Sequence, residues 1–275
     1  MKENVMNKLQ EIQFDILAKF VDICDKLNLQ YYLVCGSALG AVKYSSFIPW
    51  DDDIDVALPR NDYEIFIKKA AEYLPENYFI QNYDTDPNFP QIYTKLRRSD
   101  TTYIEKTVKN IDMNHGIYID IFPLDGYPKN KLASFVLEIR KKIYMNVMYS
   151  ATDIQRKGKA RIIYPFSKSI LNLFGNKAIA KKYTKMISSY PLESSLLWCN
   201  HGNWQGKLEY AESWQYGKGT LKNFNGIKVS VPERYDEYLK QKYGNYLKDL
   251  PVEEQKGHHY YEICDFDKSY KNYLG

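Results

Sequence analysis

Residues 47–60 read FIPWDDDIDVALPR and place four aspartates within five positions, directly before an apolar run. Neighbouring carboxylates repel one another by about 1 kcal/mol per pair in water, and by more where the effective dielectric constant is lower. On a strand, side chains two residues apart face the same way, so Asp53 and Asp55 would share one face about 7 Å apart along the backbone. The opposite, buried face would carry Ile54, Val56 and Leu58. The stretch therefore predicts a strand whose carboxylates need solvent, a helix N-terminus or a cation beside them.

Carboxylates placed in this way can converge on a divalent cation, and hard oxygen ligands suit Mg²⁺ or Mn²⁺. A solvated acidic turn is the ordinary alternative. A calcium-binding loop is another, but the glycine and the glutamate that such a loop needs are missing here. Asp51 and Asp53 are also two apart, so the pair could be shifted by two positions. We prefer Asp53 and Asp55, because Asp51 lies in the turn beside Pro49 and would support the site from behind.

Two further features favour a reaction centre over a plain acidic turn. The stretch CGSALGA, residues 35–41, predicts a turn into a helix, where the backbone at Gly36 and the hydroxyl of Ser37 could hold a phosphate. A helix start without a ligand is the alternative. Asp120 stands between apolar residues on a predicted strand, and a buried carboxylate needs a partner or a metal. Asp53, Asp55 and Asp120 together suggest a metal-dependent phosphoryl-transfer centre.

The remaining pattern predicts an α+β fold. Apolar residues recur in steps of three and four from Leu9 to Leu27, which indicates a helix. The other predicted elements are a strand at residues 31–34, a helix capped by Asn61 or Asp62, one or two strands within residues 89–104, a strand ending at Pro123, and a last helix ended by Gly244. We divide the chain into a catalytic core at residues 1–130, a basic helical insertion at 131–195, and residues 196–275, which complete the catalytic domain.

Composition narrows the class of protein. The chain has 275 residues, of which 44% are hydrophobic and 26% charged, which is typical of a globular protein. No stretch approaches the roughly 20 apolar residues that span a bilayer, and the first residues lack the apolar core of a secretory signal. Four scattered cysteines indicate reduced thiols and neither a disulfide framework nor a zinc site. We therefore expect a cytoplasmic protein.

The net charge of +4 is unevenly distributed, because residues 139–190 contain twelve Lys or Arg and one acidic residue. Apolar and aromatic residues alternate with these charges, a pattern typical of a segment that lies on a membrane surface. We therefore expect peripheral association with the inner face of the cell membrane. The charges chosen to test this are Arg140, Lys141, Lys142, Lys181 and Lys182. The alternative is a helical subdomain with solvated charges. No nucleic-acid-binding motif accompanies the segment, so we expect no nucleic-acid partner.

Three stretches together resemble the core motifs of the LicD family, phosphotransferases of the nucleotidyltransferase superfamily that are related to fukutin-type proteins. These stretches are GSALGAVKYSSFIPWDDDIDVALPRNDYEIF at residues 36–66, YTKLRRSDTTYIE at 93–105 and GIYIDIFPLDGYP at 116–128. A weaker resemblance extends over residues 224–251. The basic middle of the chain matches no motif.

The resemblance implies a nucleotidyltransferase-like mixed sheet flanked by helices. It also implies transfer of a phospho-substituent, usually phosphocholine from CDP-choline, to a sugar hydroxyl of a lipid-linked or polymeric glycan precursor of the cell surface. Other members of the wider family transfer ribitol phosphate or other groups. Position by position, Asp53 and Asp55 match the metal-binding pair of the family, Asp120 matches the third acid, and Gly36 and Ser37 match its glycine–serine turn.

Two sets of residues are further binding candidates. Lys95 and Arg97 would share a strand face and could hold the phosphates of the donor, the alternative being solvent-exposed strand charges. Trp198 and Trp204 could form an aromatic cage for a quaternary ammonium group, although ordinary packing is the more usual role of such residues. The histidines lack zinc-site spacing, and His259 could face the site.

Other functions remain open on the sequence. A nucleotidyltransferase that moves a nucleoside monophosphate to a small molecule or sugar would use the same three carboxylates and differ in which phosphate is attacked. A lectin or choline-binding surface protein predicts periodic Trp and Gly repeats and an export signal, and neither pattern occurs in this sequence.

Overall fold

The computed structural model describes residues 2–202 and 209–273. The helices are α1 (Lys2–Leu27), α2 (Cys35–Lys43), α3 (Arg60–Lys69), α4 (Lys131–Tyr149), α5 (Lys159–Phe174), α6 (Asn176–Ile187), α7 (Ser213–Tyr216) and α8 (Tyr235–Tyr243). The strands are β1 (Tyr32–Leu33), β2 (Asp55–Pro59), β3 (Tyr78–Gln81), β4 (Thr94–Arg98), β5 (Thr102–Glu105), β6 (Ile117–Gly126), β7 (Leu197–Cys199), β8 (Tyr210–Glu212), β9 (Thr220–Phe224), β10 (Ile227–Val231) and β11 (Tyr261–Asp265).

The main sheet has the strand order β1-β2-β6-β4-β3, with β7 added to the far end of β6 and β8 added to β7. Strands β2 and β6 run parallel, and the other pairs are antiparallel. Two short antiparallel pairs lie outside this sheet: β9 and β10 form a hairpin, and β5 pairs with β11 from the far end of the chain. A mixed sheet with helices around it confirms the predicted α+β class.

Strand β6 is the centre of the sheet, and all ten of its residues are buried. Helix α1 packs across it, because the apolar stripe of the helix turns Ile16, Phe20 and Ile23 into the core. The final helix α8 ends at Gly244, which adopts a left-handed φ of 63° that suits glycine. Both helices agree with the sequence pattern.

Three predicted boundaries were wrong. Strand β2 begins at Asp55, so Asp53, which was predicted to share this strand, lies before it. The carbonyls of Asp51 and Asp52 accept hydrogen bonds from Gln10 and Gln13 of α1, both at 2.9 Å. The peptide groups of these two residues therefore contact a helix and not a neighbouring strand.

Helix α3 starts at Arg60, directly after Pro59, with no side-chain cap from Asn61 or Asp62. Strand β6 continues past Pro123 to Gly126. Pairing of β6 with the antiparallel β4 extends only to Ile121, and pairing with β7 starts at Asp125. Pro123 therefore lies where this edge of β6 has no partner, and its missing N–H breaks no ladder.

Residues 131–190 are mostly helical, as predicted. Helices α4, α5 and α6 enclose a buried apolar cluster of their own, which includes Leu137, Met145, Leu171 and Tyr183. The chain then returns to the main sheet through β7, although the domain boundaries themselves stay a prediction. Within residues 2–202 and 209–273, no helix is both long and apolar enough to cross a membrane.

Candidate active site

The register of three strands places two carboxylates and an ammonium group in one row. Asp55 of β2 lies opposite Asp120 of β6, and Asp120 lies opposite Lys95 of β4. Residues paired on neighbouring strands point to the same face of the sheet. Lys95 Nζ lies 2.8 Å from Asp120 Oδ1, and both side chains are buried. The row therefore follows from strand pairing alone.

Strand β2 is held at its first residue from two sides. The Asp55 N–H donates to Ser37 Oγ at 2.8 Å, and its carbonyl accepts from Val34 N at 3.0 Å. On the other side, Asp120 N donates to Ile54 O at 2.8 Å. The carboxylate of Asp55 is consequently carried on a fixed backbone.

Four acids come together at this end of the sheet, and we call Asp51, Asp53, Asp55 and Asp120 the acidic cluster. Burial raises the pKa of Asp55 well above its ordinary value, and the charges of Asp53, Asp120 and Asp51 raise it further. Burial and the charges of Asp53 and Asp52 do the same to the pKa of Asp51. These carboxyls share too little positive charge, so a cation would lower their free energy.

Gly36 and Ser37, the glycine–serine turn at the start of α2, contact two members of the acidic cluster. A Cβ on Gly36 would lie 2.8 Å from Asp51 Oδ2, so only glycine leaves room for that carboxylate. Ser37 is buried and accepts from Asp55. The structure thus gives both residues a role in placing the aspartates, and phosphate binding by this turn stays a prediction.

Asp52 binds the C-terminal segment. Its carboxylate accepts from the backbone N–H groups of His258 at 3.1 Å and His259 at 2.8 Å. Its Oδ1 also lies 3.2 Å from Nδ1 of the His259 ring. Burial alone would raise the pKa of Asp52, but the hydrogen bonds and charge of His259 outweigh it and the pKa is lowered.

His259 thereby becomes part of the site. Its Nδ1 lies 3.6 Å from Asp53 Oδ2. Burial would lower its pKa, but the bond to Asp52 and the charges of Asp53 and Glu105 raise it to about 10. Within the part of the chain that the structure describes, Asp52, Asp53 and His259 have ligand atoms within 4.8 Å of one another, close enough for one metal ion.

A cavity of about 140 Å³ adjoins the row on the β4 side. Its lining combines basic groups, one acid and aromatic rings, among them Lys95, Arg97, Glu105, Tyr93, Tyr149 and Phe89. Burial would raise the pKa of Glu105, but the charges of Lys95, His259 and Arg97 lower it. A wider depression of about 620 Å³ beside β3 contains no member of the acidic cluster.

Lys95 and Arg97 are both buried, so the alternative of solvent-exposed strand charges was wrong. Arg97 donates to Gly116 O at 2.5 Å and to Gln81 Oε1, while its Nη2 has no hydrogen-bond partner among the described residues. Lys95 Nζ lies 3.2 Å from the centre of the Tyr118 ring as well as beside Asp120. Two cationic groups thus border the cavity, one with an unused donor.

The structure does not bring Trp198 to the acidic cluster. Trp198 lies on β7, opposite Gly126, and stacks on Tyr216 at 5.3 Å. Gly126 is six residues beyond Asp120 on the same strand, or about 20 Å at the usual rise. Trp198 therefore has the more usual role of a packing residue, and Trp204 lies outside the described residues.

Sequence reasoning did not assign roles to Asp52 or Glu105 and left His259 undecided. The partners of Asp52 are more than 200 residues away, so no local spacing reveals them. A weak signal for Glu105 existed, since it closes the second stretch that resembles the family.

Comparisons with known proteins identify the family of the chain. Residues 28–168 match the family model described as LicD/FKTN/FKRP, nucleotidyltransferase domain. The chain belongs to this family. It is 27% identical, over 95% of its length and 98% of the relative's, to the lipopolysaccharide cholinephosphotransferase LicD of Haemophilus influenzae. It is also 25% identical to the uncharacterized protein RP689 of Rickettsia prowazekii, over 40% of this chain and 37% of that protein.

Proposed function

We propose that this protein transfers phosphocholine from CDP-choline to a sugar hydroxyl of a cell-surface glycan, as the name of its Haemophilus relative suggests for lipopolysaccharide. The observation that supports the proposal most is the row of Asp55, Asp120 and Lys95 across three paired strands. Phosphoryl transfer depends mainly on placing charges around the reacting phosphate, and this row supplies charges of both signs at fixed spacing.

The chemistry of the donor set fits Mg²⁺ or Mn²⁺. Aspartate oxygens are the ligands that these ions prefer, and the raised pKa values of Asp53 and Asp55 indicate carboxylates with too little positive charge nearby. Asp53, Asp55 and Asp120 would hold the metal, with Asp51 behind them. A bound metal would stabilise the charge that develops on the donor diphosphate.

The residues of the chain then have distinct tasks. The oxygen of the acceptor hydroxyl attacks the phosphorus that bears choline. The bond between that phosphorus and the bridging oxygen of CMP breaks, and CMP leaves with the electron pair. Asp120 is the candidate for accepting the proton of the hydroxyl, and Lys95 holds that carboxylate in place at 2.8 Å. Arg97, which lines the cavity, contributes positive charge.

The cavity beside the row suits a zwitterion. Its basic residues Lys95 and Arg97 favour the phosphate of phosphocholine, while the rings of Tyr93 and Tyr149 and the carboxylate of Glu105 favour the trimethylammonium group. This pairing of opposite chemistries supports a choline-bearing donor over ribitol or another uncharged alcohol.

Product analysis tests the proposal. The purified protein, Mg²⁺ and an oligosaccharide acceptor are incubated with CDP-choline, CDP-ethanolamine, CDP-ribitol or CDP-glycerol, and the products are followed by ³¹P NMR. We expect free CMP and an acceptor that carries phosphocholine. Release of phosphocholine with CMP attached to the acceptor would instead establish nucleotidyl transfer, the competing reaction at the same carboxylates.

A further inference from the structure

Helices α4 and α5 each carry a second apolar stripe that faces solvent. The inward face of α4 is already buried in the helical cluster through Leu137 and Met145. The outward stripes include Leu132, Phe135 and Ile139 on α4, and Ile162, Phe166 and Leu173 on α5. Their spacing in steps of three, four and seven places each set on one side of its helix.

These side chains are unusually exposed for their size. Leu132, Phe166 and Leu173 expose 71%, 72% and 76% of their surface. Because α4 and α5 pack against each other, the two stripes lie on neighbouring helices. A large exposed apolar surface on a folded protein marks a site of interaction.

The charges around the stripes are positive. Glu138 is the only acidic residue within α4, α5 and α6, and its carboxylate is bonded to Lys141 and Tyr210. Arg140, Lys142 and Arg161 are exposed. At one edge, Lys182 Nζ lies 5.1 Å from the ring centre of the exposed Phe174.

Two of the basic residues expected on this face form contacts elsewhere in the protein. Lys141 is buried and donates to Tyr210 Oη at 3.1 Å, so its assignment to a charged surface was wrong. Lys181 lies 3.1 Å from Asp84, which partly neutralises it.

We propose that the stripes of α4 and α5 dock on the surface of an anionic bilayer. Such a surface offers an apolar interior to the stripes and negative headgroups to Arg140, Lys142 and Arg161. A second copy of this chain would bring like charges together. Since no described helix can cross a bilayer, the face lies on the membrane and does not span it. This inference does not depend on the proposed reaction.

Vesicle co-sedimentation of the full chain tests the apolar part. We expect binding to vesicles of phosphatidylcholine with phosphatidylglycerol, weak binding to phosphatidylcholine alone, and release by high salt. Phe166→Ser combined with Leu173→Ser should weaken binding at least tenfold. The matched control combines Leu221→Ser with Leu247→Ser, which are 66% and 62% exposed on other parts of the chain and should leave binding unchanged.

Charge reversal tests the electrostatic part. Arg140→Glu, Lys142→Glu and Arg161→Glu should each weaken binding by more than about fivefold, because a basic residue near an anionic leaflet contributes about that factor and the added negative charge is itself repelled. Lys69→Glu, Lys228→Glu and Lys248→Glu are exposed controls outside α4–α6. Equal binding to neutral and anionic vesicles would overturn the proposal. So would a dimer in light scattering that Phe166→Ser with Leu173→Ser converts to a monomer while vesicle binding persists.

Discussion

The two ends of the paired strands β2 and β6 carry the same kinds of side chain in opposite arrangements. At one end, Asp55 faces Asp120, with Asp53 and Asp51 nearby and too few positive charges among them. At the other end, Asp125 is buried, and the guanidinium of Arg60 binds both of its oxygens, at 2.8 and 2.5 Å. Removing one member of a buried charge pair is costly, whereas a cluster of like charges lowers stability unless a cation joins it.

Each end also has a histidine nearby, and the pKa values of the two histidines differ. His259 lies beside Asp52 and Asp53, and its hydrogen bond to Asp52 together with the charge of Asp53 raises its pKa to about 10. His201 is fully buried near Asp125, and burial lowers its pKa to about 4. The positive charge of Lys141 lowers the pKa of His201 further, and the negative charge of Asp125 opposes this only in part.

The largest effect should follow from Asp55→Asn. Transfer should fall by at least about 10³-fold, because the proposed metal, which would supply several kcal/mol of charge stabilisation, would lose a ligand. The melting temperature in EDTA should stay equal or rise, since repulsion within the acidic cluster is relieved. Asp249→Asn, an exposed control, should change neither quantity. An inactive Asp55→Asn protein that is also unfolded would show that this end of the strands is structural.

Arg60→Met should have effects on stability and activity opposite to those of Asp55→Asn. Asp125 would be left buried without a partner, which costs about 3–5 kcal/mol of unfolding free energy. Urea unfolding measures this loss, and activity per folded molecule should be nearly unchanged. Lys240→Met removes one member of an exposed pair and should barely move the urea midpoint. Loss of activity without loss of stability in Arg60→Met would remove the contrast between the two ends.

Ser37→Ala should act on both quantities, more weakly. The buried N–H of Asp55 would lose its acceptor, at a cost of about 1–3 kcal/mol. Activity should fall partially, because Asp55 is less firmly placed. Differential scanning calorimetry and initial rates check this, with the exposed Ser194→Ala as control. A complete loss of donor binding in Ser37→Ala would instead support direct contact of its hydroxyl with phosphate.

The smallest effect concerns pH. His201 has an unfolded pKa near 6.5 and a folded pKa of about 4, so the unfolded state binds more protons in between. Stability should therefore fall as the pH drops below about 6.5, by about 1 kcal/mol at pH 5.5. His201→Gln should lack this part of the acid-side loss in urea titrations. An unchanged pH slope would mean that His201 is not held neutral.

The sequence predicted those features that local pattern determines. Asp53, Asp55 and Asp120 could be picked out because each interrupts or precedes an apolar strand. The pairing of Asp120 with Lys95 could not be predicted, since the strand register between β4 and β6 depends on packing over the whole sheet.

The roles of Asp52 and His259 were hidden for a related reason. Their contact joins residues more than 200 positions apart, through a C-terminal segment with no periodic pattern. The outward stripes of α4 and α5 were visible as apolar residues, but only the structure shows which of them remain exposed.

Metal binding tests the central claim most directly. Mn²⁺ is titrated in the presence of CDP-choline and followed by electron paramagnetic resonance for the wild type, Asp55→Asn and the control Asp249→Asn. We expect tight Mn²⁺ binding in the wild type and in Asp249→Asn, at least a tenfold loss of affinity in Asp55→Asn, and transfer activity that EDTA abolishes and Mg²⁺ restores. Equal Mn²⁺ affinity in all three proteins, or transfer that persists in EDTA, would contradict a metal-dependent centre at the acidic end of β2 and β6.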